Sequence, residues 1–67
     1  MEIIVNGEKE VIESEITLQD FIKKTVGTEY DRLAIAVNSA VIARDKWTAY
    51  ILKAGDELEI VRPLQGG

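Results

Sequence analysis

One segment of this sequence, residues 17–27, carries helical periodicity, and the rest either alternates or turns. Leu18, Phe21, Ile22 and Val26 recur at helical spacing and form a single apolar stripe. A helix with one stripe must bury it against another element. With no second helix in the pattern, that element has to be a sheet. The ends of the helix are also marked. Thr17 is placed as N-cap with Asp20 three residues on, an acidic form of the capping box, and Ile16 and Phe21 stand where a hydrophobic staple forms. Lys23 and Lys24 complement the C-terminal end of the helix dipole, and Gly27 is placed to close the helix.

The flanking segments predict the strands. Met1, Ile3 and Val5 alternate with Glu2, Ile4 and Asn6, and Asn6-Gly7 is a strong hairpin signal because a type I′ turn needs positive φ at both central positions. Residues 8–12 then return as a second, mostly polar strand suited to a sheet edge. Residues 33–37, Leu-Ala-Ile-Ala-Val, form a continuous apolar run, as expected of a central strand covered on at least one face. Asn38 and Ser39 turn the chain, and Val41 and Ile42 begin a brief strand. Trp47, Tyr50, Ile51 and Leu52 make a less regular stretch, expected as a turn or short 3-10 segment that seats Trp47 or Ile51 on the core. Gly55-Asp56 is a turn, and residues 57–61 alternate with Leu58 and Ile60 inward. The order is strand, strand, helix, strand, short strand, strand. It predicts an α+β chain in which a mixed sheet of four to five strands packs on one α-helix, the order of the ubiquitin-like β-grasp fold. The domain is expected to span residues 1–61, with residues 62–67 as a flexible tail.

Composition limits the chemistry. The chain has 67 residues, no cysteine and no histidine, so it holds one small domain with no disulfide, zinc-thiolate site, thiol nucleophile or imidazole base of its own. These absences point away from an independent enzyme, and no catalytic or metal-ligating residue is assigned. Eight Lys and Arg against twelve Asp and Glu give a net charge of −4, the wrong sign for a nucleic-acid or anionic-membrane partner. No apolar run approaches the roughly 20 residues of a membrane span. The first residues lack the basic region and long apolar stretch of a signal peptide, so the cytoplasm is the expected compartment. Glu8, Glu10, Glu13 and Glu15 read as a solvated acidic edge, and Ser14 and Ser39 have no histidine to activate them.

After Val61 the pattern stops. Arg62, Pro63, Leu64, Gln65, Gly66 and Gly67 show no strand alternation, and Pro63 biases Arg62 toward extended conformations. Six extended residues reach roughly 20 Å. The two glycines add no side chain, so such an arm fits a narrow channel and presents the carboxylate of Gly67 to a distant active site. ATP can activate a carboxylate as an acyl-adenylate, and a sulfur donor can then convert it to a thiocarboxylate. The competing reading is an inert terminus on a β-grasp binding module. Arg62 stands where a docking enzyme must pass, or is a solvated strand-end cation. Arg44 either pairs with Asp45 or another acid, or meets a partner. Trp47 reads as a buried anchor rather than a partner contact.

Several of these residues together resemble a known family. Ala36-Val37-Asn38, the run from Val41 to Trp47, the run from Lys53 to Arg62 and the terminal Gly66-Gly67 are similar to the ThiS sulfur carriers of thiamine biosynthesis. The opening residues 3–7 and the helix at Leu18 fit as well, so the resemblance covers essentially the whole chain. The chain departs from the family pattern at Ala43, where proline is frequent, and at Gln65, where small or apolar residues are usual. The resemblance implies that a ThiF-type adenylating enzyme uses ATP and magnesium to activate Gly67. A persulfide-bearing sulfurtransferase then supplies sulfur, and a thiazole synthase of the ThiG type receives it. Residues 62–66 would be the partner-binding tail, and the chain itself would bind no cofactor. The similar small subunit of molybdopterin synthase, MoaD, shares the fold, the Gly-Gly end and the thiocarboxylate, and stays open as an alternative. The sheet face opposite the helix, near the last strand, is expected to meet the adenylating enzyme, because the tail emerges there.

Overall fold

The computed structural model of the chain describes residues 1–27 and 33–61. Strands β1 (Glu2–Val5) and β2 (Glu8–Val11) form the opening hairpin, and helix α1 (Leu18–Thr25) follows. Strands β3 (Ala34–Val37) and β4 (Ala40–Val41), a 3-10 turn (Arg44–Lys46) and strand β5 (Glu57–Val61) complete the order. The strands make one five-stranded sheet in the order β2-β1-β5-β3-β4. β5 runs parallel to β1 and antiparallel to β3, so the sheet is mixed, as the β-grasp order requires.

Both hairpin turns follow from sequence. Asn6 and Gly7 have φ of 50° and 85°, and Asn38 and Ser39 have φ of 51° and 73°, the positive pair a type I′ turn demands. Gly27 has φ of 100° and donates its N–H to the Ile22 carbonyl, closing the helix as expected. Some boundaries differ from the expected ones. Ile12 lies just past β2, although its N–H still reaches the Met1 carbonyl at 2.8 Å. The short strand is Ala40–Val41 rather than a pair starting at Val41, because the two-residue turn at 38–39 sets Ala40 opposite Val37. The strand at the centre of the sheet is β5, flanked by β1 and β3.

The core lies between α1 and one face of the sheet. Its buried members among the described residues are Ile3, Leu18, Phe21, Ile22, Ile35, Val37, Trp47, Leu52 and Leu58. Ile16 and Val26 pack against this cluster from the two ends of the helix. Between Trp47 and Ile51 the structure selects Trp47, which is 1% exposed against 49% for Ile51. The indole N–H donates to the Ile42 carbonyl at 2.9 Å, so the ring is buried without stranding its polar atom.

The irregular segment after β4 also completes the helix N-terminus. Leu18 N–H donates to the Tyr50 carbonyl at 2.7 Å and Gln19 N–H to the Trp47 carbonyl at 3.1 Å. Thr17 Oγ1 accepts from the Asp20 N–H at 3.1 Å, as the capping pattern predicts. The first-turn donors are thus used within the fold, and the helix end offers no ready anion site.

The packing makes two substitutions informative. Trp47→Ala should cost about 3–5 kcal/mol by urea unfolding followed by circular dichroism, a large share of the stability of so small a domain. Asn38→Gly keeps the left-handed backbone available but removes an amide that donates to Asp56 Oδ1 at 3.0 Å and accepts from the Glu57 N–H at 3.0 Å. It should lower stability by about 1–3 kcal/mol in the same assay, because Asp56 is buried and loses a donor.

Candidate functional site

The residues assigned from sequence to the working end, Arg62, Pro63, Leu64, Gln65, Gly66 and Gly67, lie outside the described residues. What the structure describes is the base from which that segment continues. β5 ends at Val61, which pairs with Ala34 at the start of β3. The strand leading to the tail lies between β1 and β3 in the sheet.

Two asparagines fix β5 at its flanks. On the β1 side, Asn6 Oδ1 accepts from the Ile60 N–H at 2.8 Å, Asn6 Nδ2 donates to the Ile60 carbonyl at 3.3 Å, and the Asn6 N–H donates to the Leu58 carbonyl at 2.9 Å. On the β3 side, the Asn38 N–H donates to the Glu57 carbonyl at 2.7 Å while its side chain bridges Glu57 and Asp56. Asp56 Oδ2 accepts from the Lys53 N–H at 2.8 Å, which closes the turn before the strand. Among the described residues no buried side-chain nitrogen or oxygen lacks a partner. This network positions the backbone of β5 and of the turn before it.

The sheet face away from the helix follows from strand register. Leu58 and Ile60 point to the core, so Glu57, Glu59 and Val61 point outward. Glu59 is paired with Ala36, Ala36 with Val41, and Val61 with Ala34. Ala34, Ala36, Val41 and Val61 with Glu59 line a shallow hollow of about 130 Å³ beside the end of β5. Val41 is 78% exposed and Val61 56% exposed, which makes this an apolar surface that the isolated chain leaves open. The face is the one expected from sequence to lie near the emerging tail.

The alternation of residues 57–61 turns Glu57, Glu59 and Val61 outward by sequence, but Ala34 and Ala36 are not singled out, because the run 33–37 reads as uniformly apolar. The usable signal is side-chain size. Small Ala34 and Ala36 alternate with Ile35 and Val37, and it is the large pair that is buried. Arg44, left open between an ion pair and a partner contact, places its guanidinium 5.5 Å from the Trp47 ring centroid, so it shields the buried indole. Among the described residues no group of three or more His, Cys, Asp or Glu is gathered to hold a metal ion, and no helix is long and apolar enough to cross a membrane.

Comparison with known proteins gives the arrangement a family. No curated protein matches the sequence. The chain is similar in structure to the crystal structure of a thiamine biosynthesis protein (ThiS) from Geobacter metallireducens, with a TM-score of 0.85 at 20% identity and full coverage of both chains. It is likewise similar to a solution NMR structure of a thiamine biosynthesis protein from Geobacter metallireducens, with a TM-score of 0.83, 20% identity and coverage of 100% of this chain and 88% of the other. At that identity the likeness establishes the β-grasp fold alone. The family model for ThiS, however, matches residues 1–67 from end to end, and the chain belongs to the ThiS family.

Proposed function

We propose that this chain is a sulfur carrier of thiamine biosynthesis, acting as a protein cosubstrate and not as an enzyme. The observation that carries the reading is the family match over residues 1–67, a span that includes the terminal Gly66 and Gly67. In this reading a ThiF-type enzyme uses ATP and magnesium to adenylate the carboxylate of Gly67, releasing pyrophosphate. The terminal sulfur of a sulfurtransferase persulfide then attacks the acyl-adenylate, and AMP departs with the carboxyl oxygen. A thiol of a partner protein cleaves the resulting acyl disulfide, leaving the thiocarboxylate on Gly67 and a disulfide on the partner. The thiocarboxylate is delivered to a thiazole synthase of the ThiG type. ATP and magnesium belong to the activating enzyme.

The chemistry of the chain supports this division of labour. With no cysteine and no histidine, the chain has neither a thiol to compete for sulfur nor an imidazole to catalyse hydrolysis of an activated acyl group. Residues 62–66 would be gripped by the partner, and Gly66 and Gly67 suit a narrow channel because they carry no side chain. The hollow formed by Ala34, Ala36, Val41 and Val61 supplies apolar surface beside the root of that segment and suits the docking of the adenylating enzyme.

Incubation with a cognate adenylating enzyme, ATP and a sulfur donor should add to the chain the mass of sulfur in place of one oxygen. Deletion of Gly67 should abolish that gain. Absence of both adenylate and thiocarboxylate with every cognate pairing would sink the carrier reading. Rescue of a thiamine auxotroph, with no restoration of molybdopterin synthesis, should separate the ThiS role from the MoaD role.

The docking face makes its own prediction. Val41→Asp places a charge in the apolar hollow and should lower kcat/KM for adenylation by about ten- to a hundredfold, chiefly through KM. Its unfolding free energy should stay within about 0.5 kcal/mol of the parent, because the side chain is exposed.

A further inference from the structure

The outer face of the sheet has two halves, and one residue belongs to both. Glu59 lines the apolar hollow with Ala34, Ala36, Val41 and Val61. It also lines a wider, more polar hollow of about 530 Å³, shared with Glu57, Ile4, Asn6, Gly7 and Ser39. Glu57 and Glu59 are two apart on β5, so both carboxylates project from the same face. The neighbouring amides are already committed: Asn6 to Ile60, and Asn38 to Glu57 and Asp56. Among the described residues neither carboxylate has an ion-pair partner. Lys9 shares the face but sits opposite Ile4 on β2, two strands from β5. The result is an aliphatic seat with two adjoining like charges, on a chain whose net charge is −4.

We propose that this face selects its partner by a matched pair of side chains. An aliphatic side chain of the partner seats among Ala34, Ala36, Val41 and Val61, and an arginine or lysine beside it enters the polar hollow at Glu57 and Glu59. The occupant is a protein surface with a cation next to an apolar residue. A cation relieves the repulsion between the two glutamates, while a neutral or acidic surface meets it unrelieved. Nucleic acid and anionic membrane have the wrong sign. Glu57 and Glu59 are thus specificity determinants for docking. The inference rests on the carrier reading above and assigns the adenylating enzyme as the partner that supplies the cation.

The test is pyrophosphate release by the cognate adenylating enzyme, measured against carrier concentration at low and high salt. The parent chain is compared with E57Q/E59Q, E57K/E59K and V41D. The double glutamine variant should raise KM about tenfold at low salt, leave kcat unchanged and flatten the salt dependence. The double lysine variant should raise KM further, and V41D should raise it most clearly at high salt, where attraction between its added carboxylate and the partner's cation is screened. Thermal unfolding of the glutamate variants should match the parent, since both side chains are exposed. If V41D raises KM while E57Q/E59Q does not, the charged half is not a recognition element; the proposal is overturned and the carrier reading stands. If none of the variants changes KM, the face does not dock and the proposal is overturned on that ground. If the parent chain itself is never adenylated, the carrier reading falls and this inference falls with it.

Discussion

The parallel pairing of β5 with β1 is the constraint on which the rest of the structure depends. Parallel neighbours cannot be joined by a tight turn, so the chain between them has to cross over the sheet. Helix α1 lies within that crossing, and its single apolar stripe covers the face the crossing passes. The core is consequently built from both ends of the chain, with Ile3 contributed by β1 and Leu58 by β5. The hydrogen bonds between Asn6 and Ile60 join residues 54 apart in sequence. Closing so long a loop has an entropic cost that is recovered only when the central pair of strands and the helix are in place together. The opening hairpin has little stability by itself, because every residue of β2 is exposed.

Asn6 and Asn38 turn this long-range pairing into a fixed register. Each occupies a left-handed position in a hairpin turn, and each uses its side chain to bind the backbone of β5. A glycine would satisfy the turn as well but would not hold the strand. Register matters because slipping a strand by one residue exchanges its faces. With β5 held at Glu57 and Ile60, Leu58 faces the core and Glu57, Glu59 and Val61 face outward. The composition of the outer surface is therefore decided by the same two residues that shape the turns.

Much of this is legible in the amino-acid sequence, and the reasons differ by element. The helix, both turns and the alternation of β5 are readable because caps, positive-φ residues and period are local signals. The position of β5 at the centre of the sheet is not, since no period encodes which strands become neighbours. Trp47 and Ile51 are both candidates for the core by sequence, because both lie in an irregular stretch. The carbonyl of Ile42, which accepts the indole N–H, distinguishes them only in three dimensions. The run 33–37 reads as uniformly apolar, yet Ile35 and Val37 are buried while Ala34 is exposed. The Gly66-Gly67 end, by contrast, is plain in the order of residues alone, and it lies outside the described residues.

An exposed apolar hollow on so small a protein raises the question of whether it would close on a second copy. Val41 and Val61 would gain by burial, and a two-fold arrangement would set two such hollows face to face. It would also bring together two copies of Glu57 and Glu59 from chains that each carry a net charge of −4. The open edge of β2 is guarded in the same way, since it presents Glu8 and Glu10 to any strand that would extend the sheet. The acidic residues that favour a basic partner therefore disfavour self-association. Under the proposed carrier role both properties are needed, because surface held in a stable dimer would be withdrawn from partner enzymes. The charge of the outer face, more than its apolar area, therefore opposes closure of the hollow on a second copy.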